Sequence, residues 1–486
     1  MTTTPQTPAS PDRARPRIRR TIADAAGRAT RFTDHSVEDA GIRDLLTTQA
    51  QWQAWLDVES ALAQAQAEVG LIPRSAADAI TRAAQVDLID QEAVNTGIAR
   101  TSHPLTPLIA ELARLAGTEA GEYVHWGATT QNITQTGNNL LVKAAHRRIS
   151  SLLDSCLSAA GHLAEREAET AMAGRTHGQH AVPITFGFKV ATWIEELIDD
   201  RRRLQQAADD LATAMIGGAV GSYASLGDIG PEIERLAAAQ LGLRPAALPS
   251  RAILGGFSDH MWAIAMLSAT AAKIARDVMT MMQTETAEVS EPRSATSVGS
   301  STMPQKQNPK LTYNIIEISA RIRALVPITL EARIHSFEAD GSSAQLMDET
   351  TVEALVATGD LLVRLHAILT GLTVDRARMR TNLDLTAGLI SAEAVMLRLA
   401  QDIGRQSAHD IVLDLAAQAA ANGTSLEETL LHDRRVNSHI TGPELKEVLA
   451  PLHHLGLCAN IAHSAAQRAA TSEGEEVVGG ARTRLS

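Results

Sequence analysis

The sequence predicts an all-α protein, and three observations carry that prediction. Hydrophobic residues make up 44% of the 486-residue chain but aromatics only 3%, so the apolar mass is Ala, Leu, Ile and Val, the palette of helix packed on helix. The longest periodic stretch, Thr185 to Ile216, carries a seam of Phe186, Val190, Trp193, Leu197, Leu204, Ala208, Leu211 and Met215. Its steps of four and three are those of a long bundle helix, about 48 Å if unbroken. No strand-like alternation and no internal repeat is evident.

Taken in order, the first twenty residues place Arg13, Arg15, Arg17, Arg19 and Arg20 among Pro, Thr and Ser. Prolines oppose the amphipathic helix of a targeting peptide, so residues 1–20 read as a disordered basic tail. Asp44 to Val69 is helical, with Leu45, Trp52, Leu56, Leu62 and Val69 near the 3.6 period and Pro73 as a stop; it opens an N-terminal helical domain over 21–128. Thr101 to Gly137 is a punctuated stretch of polar loops between helical segments. A central long-helix domain over 129–384 contains the seam helix and two more long helices, roughly 259–288 and 311–335. Between these two lies a small-residue loop of about twenty residues, a length that is usually functional inside a helical domain. After Leu385 the helices shorten, with breaks at Ala421-Asn422-Gly423 and Gly442-Pro443, giving a C-terminal helical domain over 385–486 whose last fifteen residues read as a poorly ordered end.

Net charge is −12, which excludes a general affinity for nucleic acid or an anionic membrane surface. The only cysteines, Cys156 and Cys458, build neither a disulfide framework nor a cysteine-rich metal site. With no run of eighteen apolar residues to span a membrane, the expected location is the cytoplasm.

The loop Gly299-Ser300-Ser301-Thr302-Met303-Pro304-Gln305-Lys306-Gln307-Asn308-Pro309 sets two hydroxyls ahead of a cation and an amide. A carbanion beside a carboxylate becomes a dianionic enolate, and the site that makes it needs fixed positive charge and N–H donors. Lys306 and Asn308 can supply these, with a serine as base where the same field depresses its pKa. The alternative is a Ser/Gly turn with a solvated lysine. Arg175-Thr176-His177-Gly178-Gln179-His180 suits proton transfer, substrate hydrogen bonding or plain capping; no acid or thiol at helical spacing completes a metal site there. Ser102-His103 and His125 to Asn132 are two further polar loops with histidines. The gap in the seam is Arg201, which is either neutralised by a carboxylate on a neighbouring helix or kept to hold an anion.

Together these segments resemble the fumarase/aspartase superfamily, whose signature GSSxMPxKxN is matched from Gly299 to Asn308. HWGATTQN (125–132), GRTHGQH (174–180) followed by PITFGFK, and QTE (283–285) match as well. The resemblance covers roughly residues 45 to 345. TSHPLTPLI and YVHWGATT are similar to the adenylosuccinate lyase and 3-carboxy-cis,cis-muconate cycloisomerase branch.

The resemblance implies three helical domains, a twenty-helix bundle in a homotetramer, active sites shared between three chains, and anti β-elimination that releases fumarate. It implies Ser300 as base, His177 as general acid, and Lys306 and Asn308 as holders of the substrate carboxylate. It further places Thr129, Thr130 and Gln179 on the dicarboxylate and Ser102 and His103 near the leaving group. Gln131, Ser301 and Met303 join the substrate-binding set, as does Arg201 on its anion-holding reading. No metal and no cofactor is expected.

The departures from the family pattern narrow the chemistry. The glutamate usually found seven residues after the signature lysine, which pairs with the acid histidine, is Tyr313 here; Asn132 and Gln135 stand where family carboxylates are common. A general acid loses its value when the leaving group is already a stable anion. The favoured reading is therefore a carbon–nitrogen lyase cleaving nitrosuccinate to fumarate and nitrite. An adenylosuccinate-type reaction, carboxymuconate cyclisation, and an inactive structural member such as the lens crystallins are the alternatives.

Overall fold

The computed structural model describes residues 31–293 and 299–471; the expectations for the basic tail and for the last fifteen residues lie outside them. The chain is helical, as expected, and five long helices dominate it. Helix α1 (Thr48–Glu68) precedes them and opens at Thr47, whose hydroxyl accepts from Ala50 N at 3.1 Å. That cap divides the expected 44–69 helix, and Ile42–Leu45 forms a separate turn.

Helix α2 (Thr130–Arg166) has 37 residues and a length of about 55 Å. The polar stretch expected up to Gly137 therefore ends at Thr129. Gly137 lies inside α2, where a Cβ would come within 2.5 Å of the Trp55 ring, so the glycine lets α1 and α2 approach. Helix α3 is Phe186–Leu211, α4 is Gly255–Met281, α5 is Lys310–Glu331 and α6 is Gly341–Gly371.

The seam of α3 is a packing seam: Phe186, Val190, Trp193 and Leu197 are fully buried. The helix stops at Leu211, about 39 Å long rather than 48 Å, and Met215 is not part of it. Thr213–Ala214 instead pair in parallel with Arg244–Pro245. Side chains of α2 take up the freed backbone groups: Asn139 Nδ2 donates to Thr213 O at 2.8 Å, and Met215 N donates to Thr136 Oγ1 at 3.1 Å. Helix α4 likewise stops short, because a turn through Ala287 (φ 50°) sends Glu288 N back to Met281 O at 2.9 Å.

Strand pairing is present, contrary to the sequence reading. Strands β1 (Ala171–Thr176) and β2 (Gln179–Thr185) form an antiparallel hairpin between α2 and α3. Both residues of its two-residue loop, His177 (φ 53°) and Gly178 (φ 77°), have positive φ, the requirement of a type I′ turn. The hairpin is short and rich in Ala and Gly, so its period-2 signal is weak.

Three larger cores stand out among the described residues. The largest joins α2 to α6 with Ala40, Ile42 and Leu46. A second surrounds Trp52, Trp55, Leu62 and Leu108 and draws in Ile216, Leu226 and Ile233 from further along the chain. A third lies within Val395–Leu449. Helix α7 (Cys458–Thr471) returns to the bundle, where Ala469 packs on Gly161. The first turn and the segment before it are fixed to α6: Arg43 pairs with Asp360 at 2.7 Å, and buried Arg364 bonds Thr33 and Asp34. Among the described residues no helix is long and apolar enough to cross a membrane.

Candidate active site

The signature loop enters α5. Glu291 is buried and accepts from Leu311 N and Thr312 N at 3.1 and 2.6 Å, so its carboxylate caps the helix that follows the loop. Gly299 is required by close approach: a Cβ there would lie 2.2 Å from Lys306 O. Asn308 Nδ2 donates to Gly299 O at 3.1 Å and Lys306 N to Met303 O at 3.0 Å, which folds the loop on itself.

Within that fold Ser300 Oγ accepts from Met303 N at 3.2 Å and Thr302 N at 3.3 Å. Two backbone donors aimed at one hydroxyl oxygen favour its deprotonated form. Ser301, Met303 and Lys306 are exposed beside it. The inner side of the loop, with Gly299, Asn308 and Lys310, borders a cleft of about 990 Å³. Its far wall is the 33–38 segment and α6, and Leu152 and Ser155 of α2 form its floor.

His177 is exposed at the hairpin tip, and Gln179 is exposed beside it. Arg175, two residues before His177, pairs with fully buried Glu288 at 2.6 Å, and Asn382 donates to the same carboxylate at 2.8 Å. That network anchors the hairpin to the end of α4. Burial, and then the charge of Arg175, hold the His180 imidazole below its usual pKa.

The remaining motif residues collect at the start of α2. Thr129 is the N-cap, and its N–H donates to Asn132 Oδ1 at 3.0 Å. Asn132 Oδ1 also accepts from Gly218 N at 3.1 Å, so this residue is fully used in fixing the turn. Thr130 Oγ1 lies 3.2 Å from His103 Nε2, while His103 Nδ1 accepts from Leu105 N and Thr106 N at 3.3 and 2.9 Å. Nδ1 thus serves as the acceptor for this turn, and Nε2 is the ring nitrogen that faces Thr130. Ser102 is exposed at the preceding helix end, with φ 52°. Gln131 Nε2 donates to Gln135 Oε1 at 2.9 Å. The N–H groups at the start of a long helix form a natural seat for a carboxylate.

Arg201 and Tyr313 lie apart from these loops. Arg201 Nε lies 2.6 Å from Asp154 of α2, the structural alternative for the seam gap. Tyr313 sits in the first turn of α5, where burial, and then the nearby Glu291 charge, push its hydroxyl pKa up; at neutral pH it is a phenol and not a replacement carboxylate. One pair escaped the sequence reading: His125 Nδ1 contacts Glu59 Oε1 at 2.6 Å. The partners are 66 residues apart, and nothing local in the sequence announces them.

Comparison with known proteins agrees with this architecture. A family profile described as Lyase matches residues 28–324, and one described as Adenylosuccinate lyase C-terminus matches residues 388–465. The chain is 34% identical to an N-acetyl-S-(2-succino)cysteine lyase of Enterococcus italicus, over 87% of this chain and 92% of that one. It is 34% identical to an adenylosuccinate lyase of Methanocaldococcus jannaschii (86% and 92%) and 33% identical to a 3-carboxy-cis,cis-muconate cycloisomerase of Bradyrhizobium diazoefficiens (86% and 94%). The crystal structure of a fumarate lyase from Mesorhizobium sp. BNC1 superposes with a TM-score of 0.82 at 33% identity, over 88% of this chain and 98% of that one. With the signature loop, the hairpin and the long-helix bundle all in place, the chain belongs to the fumarase/aspartase superfamily of lyases.

Proposed function

We propose that the protein catalyses anti β-elimination from a 2-substituted succinate, releasing fumarate and a leaving group that departs as a stabilised anion. The observation that carries the reading is the pair of backbone N–H groups aimed at Ser300 Oγ. Ser300 as an alkoxide takes the Cβ proton. The C–H electron pair becomes the double bond, and the C–X pair leaves on X. Lys306 and the helix-terminal N–H groups meet the charge that develops on the carboxylates.

The site is completed by other copies of the chain. Ser155, at the cleft beside the signature loop, stands 25 residues beyond Thr130 on the same helix, about 37 Å along its axis. No side chain spans that gap, so Thr129, Thr130 and His103 can meet Ser300 only across a subunit boundary. Five long helices per chain fit a homotetramer with a twenty-helix core.

Nitrosuccinate is the favoured substrate because the support expected for an acid at His177 is missing: Tyr313 is a neutral phenol, and Asn132 is spent on Thr129 N and Gly218 N. Nitrite needs no proton to leave. The N-acetyl-S-(2-succino)cysteine named for one relative also carries a leaving atom that is stable as an anion, and it is the second reading. A purine substrate is disfavoured because Arg31, the arginine nearest the start of the fold, is held by Glu317 at 3.0 Å and Asp360 at 3.2 Å. The deciding experiment incubates the protein with nitrosuccinate, N-acetyl-S-(2-succino)cysteine, adenylosuccinate and 3-carboxy-cis,cis-muconate. Fumarate is followed by ultraviolet absorbance, and nitrite by colorimetry. Fumarate from nitrosuccinate with equimolar nitrite is expected; turnover of adenylosuccinate alone would assign a purine substrate instead.

A further inference from the structure

Glu59 is a carboxylate on α1 that is only 3% exposed, and among the described residues its hydrogen-bond partner is His125 Nδ1, at 2.6 Å. A buried carboxylate with so little compensation is costly unless the partner carries positive charge. The other His–carboxylate pairs among the described residues use acids at least 39% exposed, namely Asp410, Asp402, Glu447 and Glu165. His125 is thus set apart as the imidazole backed by a buried anion. Among the described residues, no buried carboxylate pairs with His177 at the hairpin tip.

The surroundings of His125 are those of a prearranged group. Its φ is 61° and that of Gly127 is 73°, backbone values that a non-glycine residue holds only when its neighbours impose them. Gln66 Nε2 donates to Trp126 O at 2.7 Å, and Ser225 Oγ donates to Gly127 O at 2.9 Å. A Cβ on Gly127 would lie 2.5 Å from Leu226. The loop is clamped on both sides and runs on through Ala128 into Thr129 and Thr130 at the start of α2. With Nδ1 directed at Glu59, the other ring nitrogen, Nε2, is left for a ligand, and the side chain keeps 20% of its surface exposed.

We propose that His125, oriented and charge-balanced by Glu59, is the cation that receives the leaving group, with Glu59 as its positioning residue. As the C–X bond breaks, the electron pair collects on X. The imidazolium Nε2–H hydrogen-bonds that developing anion, which departs without needing a transferred proton. This role places the charge-stabilising histidine on the His125 loop, and it rests on the elimination reading given above.

The test uses the full-length protein and whichever succinate the wild type turns over fastest. His125→Gly suits the left-handed backbone and leaves a hole the size of imidazole. Its kcat should fall about 10²–10³-fold, the cost of removing one preorganised charge-stabilising donor, with KM changed much less. Added imidazole should restore a measurable part of the rate. Glu59→Gln keeps the shape and the acceptor oxygen but removes the charge, and should lower kcat at least about tenfold. Rates within about threefold of wild type in both variants overturn the proposal. So does a loss that parallels a fall in melting temperature and does not respond to imidazole, since that is the behaviour of a purely structural pair. Absence of fumarate from the wild type with every succinate tried is the failure of the elimination reading, a different result from either of these.

Discussion

Arg201 of α3 and Asp154 of α2 meet at 2.6 Å, each 28% exposed, and this ion pair fills the one gap in the apolar seam between those helices. A half-exposed pair contributes about 1 kcal/mol or less. Arg201→Ala and Asp154→Ala should therefore each lower the melting temperature slightly, the double variant should add little to either, and kcat/KM should stay within about twofold of wild type. A large fall in kcat/KM at unchanged melting temperature would instead give Arg201 to the substrate.

Ser300→Ala removes the hydroxyl that receives the Met303 and Thr302 N–H groups but touches no core. Turnover should drop roughly 10²–10⁴-fold, while the circular dichroism melt and the oligomer mass stay unchanged. A variant keeping more than about a tenth of the wild-type rate would remove Ser300 from the base role and make Ser301 the next candidate.

His146 of α2 and His260 of α4 are both buried, with ring centroids 5.9 Å apart. Burial first, and then the charge of His146, pushes the His260 pKa down to about 3; burial also lowers that of His146. A histidine freed by unfolding titrates near 6.5. Below that pH the unfolded chain binds protons that the folded chain refuses, so stability is full above about pH 6.5 and falls as pH drops toward 3. The limiting slope is about 1.4 kcal/mol per pH unit for each such histidine. Thermal melts at pH 7 and pH 5 should show a larger drop for the wild type than for His260→Asn; equal drops would show that the buried imidazole does not titrate on unfolding.

Much of this architecture was legible because it is periodic. Phe186, Val190, Trp193, Leu197 and Leu204 are buried as their spacing requires. At the end of α3 the buried position is Ala207 and not Ala208, and the helix yields to strand pairing at Thr213, a tertiary effect with no local signal. The β1–β2 hairpin was missed because Ala and Gly carry little strand preference. Its one local sign, His-Gly between two short runs, is legible only once both residues are seen at positive φ. Ser300, Lys306 and Asn308 are singled out by the signature, whose conformation is local: Gly299 and Asn308 close the loop within ten residues. Glu59 and His125 are joined by packing of α1 against the α2 region, and no spacing rule reaches across 66 residues.

Leaving-group acidity is the remaining discriminator, and His177 reports on it. The hairpin presents His177 exposed at its tip, and position 313, where a supporting carboxylate was expected from the family, holds a half-buried phenol. General-acid help is worth about 10²–10⁴-fold when it is used. With nitrosuccinate it has nothing to protonate, so His177→Ala should stay within roughly tenfold of wild type. With a substrate that releases an amine, the same variant should lose the full factor, because the nitrogen cannot leave as an anion. Wild type and His177→Ala are to be compared on nitrosuccinate and on adenylosuccinate, under identical conditions and with the same fumarate readout. Rapid, His177-dependent cleavage of adenylosuccinate without nitrite from nitrosuccinate would mean that His177 is a working acid despite Tyr313, and that the leaving group is an amine.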